Sequence, residues 1–264
     1  MRNPFEGIGR GFFRRATACE ERLAFLGEAF ADFVLLLAHP RQFRFRDGVR
    51  TFARAAFDGL PVTVGIGFLL GVILAFESAA ALRTFGAEVY VADLLTIALF
   101  RELGPLVTAI VLAGRSGSAF AAEIGTMKVD EELDALTTMG LPPVRFLVAP
   151  RVLAAILAMP ILTVLAELAG LVGGALVLGP MNVPNVVFWN RASDAATLFP
   201  VVFGLGKACF FGLLIGLVGC GAGLRTRTTA DGVGEAATAA VVGSIVAIAV
   251  ADGLFAVVCY VWGV

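Results

Sequence analysis

Six ionisable residues stand inside stretches otherwise built of Leu, Val, Ala, Ile, Gly and Phe: Glu77, Arg101, Glu102, Glu167, Lys207 and Asp252. Asp93 and Arg151 sit at the edges of the same stretches. If those stretches cross a bilayer, each Arg, Lys or Asp near a helix centre costs roughly 2.5–3.5 kcal/mol on insertion scales. Three uses offset such a cost: an ion-pair network that fixes helix packing, a polar anchor for a substrate in apolar surroundings, or a proton path. Adjacent helical residues point about 100° apart, so Arg101 and Glu102 are expected to meet different neighbours. Lys207 is the candidate for Glu102, and Glu77 or Asp252 the candidate for Arg101.

Other chemistries find little support. No GxxxxGK[ST] phosphate loop occurs; Gly204-Leu205-Gly206-Lys207 lies within an apolar run and lacks the spacing. The single histidine, His39, precedes a proline at a helix end, and Ser116 has no base at identifiable range, so no hydrolytic constellation forms. Cys19, Cys209, Cys220 and Cys259 show no CxxC spacing; they read as small hydrophobes, and no metal site is expected. A net charge of −1 gives no hint of a nucleic-acid partner.

A second set of residues lies in water. Between two apolar stretches the chain crosses a Gly/Ser-containing bend and a charged helical segment, then returns through Pro142-Pro143 and Pro150. Ala119 to Met139 reads as a helix weakly interrupted at Gly125. Glu123, Lys128, Asp130, Glu131, Glu132 and Asp134 make it soluble, while Ile124, Met127, Leu133, Leu136 and Met139 are expected to project as apolar knobs. A short helix with apolar knobs in an acidic surround suits a groove on a soluble partner.

The elements that must position these groups follow from composition and periodicity. The chain is 59% hydrophobic and 16% charged, against about a quarter charged in soluble domains. The expected class is an all-α membrane protein. Residues 20–38 and 49–60 form amphipathic helices suited to the headgroup boundary, and Pro61 is expected to turn the chain into the bilayer. About five spans follow, near 62–82, 91–114, 149–178, 200–223 and 237–262, the third containing Pro160. The division is thus 1–60 for the interfacial helices and 61–264 for the transmembrane domain, with a coupling segment at 115–148.

Ten Lys/Arg precede the first span, four fall in 115–151 and two in 224–235, against one each, Arg83 and Arg191, in the opposite loops. The N-terminus and the 115–151 segment are therefore expected to be cytoplasmic and the C-terminus to face outward. At about 1.5 Å per residue, the six intramembrane charges then fall from mid-membrane to the outer half. Gly67/Gly71, Gly170/Gly174 and Gly212/Gly216 permit close helix contact, most simply within one chain.

RELGP at 101–105, AGRSG at 113–117, AEIGTMKVDEELDALTTMG at 122–140 and PVRFLVAPR ending at Arg151 resemble the signature of the MlaE-type permeases of Mce-associated lipid ABC transporters. The resemblance covers about 45–262. It implies a homodimeric permease of the bacterial inner membrane moving phospholipid between that membrane and the periplasm. Two ABC ATPase subunits would bind ATP and Mg below, an Mce-domain protein would sit above, and this chain would carry no cofactor of its own. It also implies a coupling helix within 115–140, with Glu123, Ile124, Met127, Leu133, Leu136 and Met139 as ATPase contacts. Arg101 and Glu102 match the pair near the lipid pocket, Lys207 the basic residue of span four and Asp252 the acidic residue of span five. Glu77 falls where a polar residue follows the first apolar run, and GVGEAATAAVV after Asp231 holds less arginine than the family pattern.

Two other function classes compete. A proton-coupled secondary transporter would use the intramembrane acids and work without an ATPase. A non-transporting scaffold would anchor a soluble complex through 115–140 and tolerate loss of Glu102, Lys207 and Asp252.

Overall fold

The computed structural model describes Gly27, residues 45–181 and residues 183–262. Apart from Gly27, which is helical, the expected helix at 20–38 lies outside them, as do the basic N-terminal stretch, Cys19 and His39. The first helix, α1, is continuous over Phe45–Arg83 with Pro61 inside it. The expected turn at Pro61 is therefore corrected: the amphipathic stretch and the first span are one rod. Proline removes one i→i−4 bond, and the carbonyl it leaves belongs to Phe57, a residue 73% exposed. An acceptor at the surface finds other partners, so the helix survives the proline.

The second rod runs from Glu88 to Val129. It comprises a 3₁₀ turn, α2 (Val91–Ala98), a π-helical turn (Leu99–Leu103), α3 (Gly104–Leu112), a second π turn (Ala113–Gly117) and α4 (Ser118–Val129). The expected Gly/Ser bend is thus a π turn within an unbroken helix. Gly125 does not interrupt α4 either. A Cβ there would lie 2.8 Å from the Thr226 hydroxyl, so glycine serves close packing. The break comes at Glu131, whose φ of 60° is left-handed. A short helix, α5 (Glu132–Thr138), follows, then Gly140 with φ 73°.

A third π turn, Val144–Val148, leads into α6 (Ala149–Leu178), unbroken despite Pro160. Then come α7 (Asn185–Ala195), α8 (Leu198–Leu224) and α9 (Ala230–Trp262). Five helical stretches are long and apolar enough to cross a membrane, and no strand occurs among the described residues.

Side chains fix the two ends of the bundle. At one, Arg191 of α7 pairs with Asp93 of α2 at 3.1 Å and covers the Tyr90 ring. At the other, Lys128 of α4 donates to the Leu224 carbonyl at 2.7 Å, capping the last turn of α8. The core forms three layers between these ends. Leu95, Leu99, Leu178 and Phe188 fill the first; Leu112, Met159, Leu162, Phe211 and Ile248 the second; Phe120, Ile124, Leu147 and Val152 the third. The glycine pairs work within the chain: a Cβ at Gly71 would strike the Gly170 carbonyl, and one at Gly212 would lie 2.6 Å from the Ala155 carbonyl.

Candidate functional site

Lys207 lies on α8, nine residues or about 14 Å from the helix start at the Arg191 end. Its side chain is wholly buried. Its ammonium donates to Glu102 Oε2 at 2.5 Å and stands 2.5 Å from Asp252 Oδ1 of α9, the latter contact off the hydrogen-bond direction. One cation is therefore shared by two carboxylates from two other helices. The rings of Phe203 and Phe255 flank it at 5.7 and 5.9 Å, presenting their negative faces to the charge.

The backbone explains why the lysine fits there. Pro105 has no N–H, so the preceding turn cannot satisfy all its carbonyls, and the π turn at 99–103 redistributes them. Lys207 supplies one missing donor, reaching the Arg101 carbonyl at 3.4 Å. Gly204, one turn before Lys207, lets α8 approach the Phe100 carbonyl so closely that any Cβ would strike it. The RELGP string and the glycine of GLGK are thus one device: a proline that frees carbonyls, and a glycine and a lysine that cover them.

Of the predicted cluster, Glu102, Lys207 and Asp252 come together, and the expected Lys207–Glu102 pair forms. Arg101 does not pair with Glu77 or Asp252. Among its contacts, its Nε lies 3.9 Å from Glu102 Oε1 of its own neighbour. The π turn alters the angle between successive residues, which the 100° argument does not allow for. Glu77 lies apart and exposed. The buried face of α1 carries Gly67, Gly71, Ala75 and Ala79. Glu77 is two residues past Ala75, about 200° around the helix. Glu167 is 2% exposed, on α6, with its carboxylate beside Gly104, where a Cβ would lie 2.7 Å from Oε1. No cation is within ion-pair distance of it among the described residues.

At the opposite end, Glu123 of α4 accepts two hydrogen bonds from Arg151 of α6, at 2.9 and 3.3 Å, and lies 3.9 Å from Arg54 of α1. Arg115 meets Asp58 at 3.4 Å. Glu123 therefore ties three helices together. Ile124, Leu133 and Leu136 are buried against Phe120, Val144 and Leu147, so they do not project as knobs. The reason is local: the left-handed Glu131 folds α5 back, turning its apolar side inward. Met127 is part-buried in the same cluster. Met139, 65% exposed, stands on a rim with Leu141 and the acids Asp130, Glu131, Glu132 and Asp134.

Sequence reasoning missed the Arg54–Glu123 and Asp58–Arg115 pairs. Their signal was present: opposite charges four apart on α1 and eight apart on the second rod, in the order two antiparallel helices would match. Phe203, Phe255 and Pro105 carried no comparable signal in isolation.

Residues 49–258 match the family described as Permease MlaE, a stretch that holds both charged sites. The chain belongs to the MlaE permease family. Among relatives of this MlaE permease, a probable ABC transporter permease protein of Synechocystis is 42% identical over 187 residues, 70% of this chain and 71% of that one. The intermembrane phospholipid transport system permease protein MlaE of Haemophilus influenzae is 35% identical over 178 residues, 67% and 68% of the two chains. The chloroplastic protein TRIGALACTOSYLDIACYLGLYCEROL 1 of Arabidopsis thaliana is 34% identical over 223 residues, 84% and 64%. With five apolar helical stretches, this MlaE permease is a multi-pass membrane protein.

Proposed function

We propose that the chain is the membrane-spanning subunit of an ATP-driven phospholipid transporter of the bacterial inner membrane. The observation that carries the reading is the buried Lys207 ammonium held between Glu102 and Asp252, flanked by Phe203 and Phe255. Beside it an apolar groove of about 680 Å³ runs along α8 and α9, lined by Phe210, Leu254 and Phe255. A polar centre against an apolar groove suits an amphiphile. The permease relatives named for ABC transport and for phospholipid transport support the same reading.

In this proposal a second copy covers the apolar face of α9, where Val242, Val246, Val250 and Leu254 are exposed, and lipid occupies the space between the copies. An ABC ATPase binds ATP and Mg and docks on the rim of Met139, Leu141 and the acidic residues. An Mce-domain protein receives lipid on the periplasmic side, above α7. The basic end faces the cytoplasm and the C-terminus the periplasm.

The test is reconstitution of the chain with its ATPase in liposomes containing fluorescent phospholipid. ATP-dependent movement that Lys207→Ala abolishes, with the complex still assembled, is the expected result. Equal movement without any ATPase overturns the reading in favour of a secondary transporter.

A further inference from the structure

A separate cavity, of about 300 Å³, lies at the Arg191 end of the bundle, between the last turn of α1 and the 3₁₀ turn that follows α6. Phe76, Ala79 and Ala80 form one wall, Pro180 and Met181 another. Arg83 and Glu88 complete the lining, on either side of the tight turn that leaves α1. The backbone fixes that turn: Phe85 and Ala87 donate to the Leu82 carbonyl at 3.0 and 3.1 Å, and Gly86 takes a left-handed φ of 65°. Among the described residues no ion pair joins Arg83 to Glu88, so the two charges line the cavity separately. None of these residues lines the groove beside Lys207.

The surroundings add negative charge. Glu77, exposed on α1, stands three residues before Ala80, about 60° around the helix, and so flanks the cavity. On the neighbouring elements Asp93 and Arg191 pair with each other at 3.1 Å, and Asp194 lies three residues beyond Arg191. Among the described residues, carboxylates thus outnumber guanidinium groups at this end. Deeper along the same side of α1, Leu69, Ile73 and Phe76 form an exposed apolar stripe at i, i+4 and i+7 that leads to the cavity.

We propose that this cavity binds a phospholipid whose headgroup carries a primary ammonium, with the phosphate on Arg83, the ammonium on Glu88 with Glu77 beside it, and an acyl chain laid along Phe76, Ile73 and Leu69. A guanidinium fork matches two phosphate oxygens, and an ammonium has three N–H donors, enough for two carboxylates. An anionic lipid would bring its charge to an acid-rich rim and leave Glu88 without a cation. A quaternary ammonium has no N–H to donate. A free headgroup would use the charges but leave the apolar stripe uncovered. The site goes beyond the transport reading; it takes from it only that the Arg191 end faces outward, which places the lipid in the outer leaflet. It also gives a ligand to Glu77, which points away from the Lys207 cluster.

Native mass spectrometry of the full-length chain in mild detergent tests this, with added dioleoyl phosphatidylethanolamine, phosphatidylcholine or phosphatidylglycerol. The parent chain should retain phosphatidylethanolamine best. Glu88→Gln should weaken that retention about fivefold and Glu77→Gln by less, with phosphatidylglycerol not weakened. Arg83→Gln should lower retention of all three lipids. Ala80→Phe, which fills the cavity and leaves the charges, should do the same, and the lipid it displaces is the share held here rather than in the Lys207 groove. Undiminished phosphatidylethanolamine binding in the double variant Arg83→Gln, Glu88→Gln overturns the proposal. So does a parent chain that holds phosphatidylcholine equally well. Full competition by millimolar phosphoethanolamine also overturns it, since the site would then be one for the free headgroup. Binding is read without transport. Retention that depends on Arg83 and Glu88 in a chain that moves no lipid supports this site and counts only against the transport reading.

Discussion

Replacing Lys207 by methionine keeps an unbranched chain of similar length and removes the one cation that two carboxylates share. Glu102 and Asp252 then face each other across an apolar site. Removing one partner of a buried ion pair costs about 3–5 kcal/mol, because the other charge is left uncompensated. Here the carboxylates are not fully dry: the side chain of Glu102 is 36% exposed and that of Asp252 19%. Screening at that exposure brings the expected cost to about 2–3 kcal/mol. For a chain of this size that is a fall in Tm of about 4–12 °C, read by thermal unfolding of the detergent-solubilised protein. The triple variant Glu102→Gln, Lys207→Met, Asp252→Asn removes the three charges of the cluster, leaving beside it only Arg101, whose contact to Glu102 is loose, and should regain most of that stability. Transport by the reconstituted complex should be lost in both variants. A Lys207→Met protein within about 1 °C of the parent would refute the shared-cation reasoning. A triple variant that is stable and also transports would reduce the cluster to a packing device.

Three further outcomes follow from the packing. Gly71→Ala drives a methyl into the Gly170 carbonyl and should cost about 1–3 kcal/mol, whereas Gly65→Ala, on the same helix with nothing within 4 Å, should be neutral or stabilising; equal Tm values for the two would count against the α1–α6 contact. Leu133→Asp buries a charge and should lower Tm and yield, while Met139→Asp should leave Tm unchanged and weaken ATPase co-purification; the reverse pattern would mean α5 is turned the other way in the complex. Deleting Gly114, whose Cα faces open space, converts the π turn at 113–117 to ordinary α-helix; Tm should change by less than about 4 °C while ATP-driven transport falls, and unaltered transport would deny that turn a role in coupling.

The five spans, the soluble segment between the second and third, and the intramembrane charges were legible because hydropathy and length are one-dimensional properties. Depth was legible too: Glu102, Lys207 and Asp252 do share a level. What depth cannot give is azimuth. Glu77 has a comparable depth and points the wrong way, because Gly67, Gly71, Ala75 and Ala79 define the packed face of α1 and Glu77 lies opposite. The knobs of the coupling segment failed for a related reason. Leu133 and Leu136 are apolar whether they dock on a partner or on Val144, and only the left-handed backbone at Glu131 decides between the two. The helix-breaking signals at Pro61 and Gly125 misled as well, since in a bundle the surrounding helices, not propensity, decide whether a rod continues.

The two charged sites are ends of one object. Glu102 and Glu123 lie on the same helical rod, twenty-one residues or about 30 Å apart. At its upper end the rod is held by Lys207 to α8 and, through the same ammonium, to α9. At its lower end Glu123 holds it to Arg151 of α6 and Arg54 of α1. Between the clamps stands the π turn at 113–117, where the Ser118 hydroxyl donates to the Gly114 and Arg115 carbonyls at 2.6 and 2.9 Å. A turn wound with one residue too many can tighten or shift without breaking the helix on either side. Displacing α4 from below therefore has a direct mechanical route to Glu102. Because Glu102 shares its cation with Asp252, whatever moves the rod also changes the balance of charge on α9, the helix whose apolar face lines the groove. A rod clamped at both ends and yielding in the middle is what a permease needs if work delivered to its soluble segment is to reach a lipid-sized groove some 30 Å away.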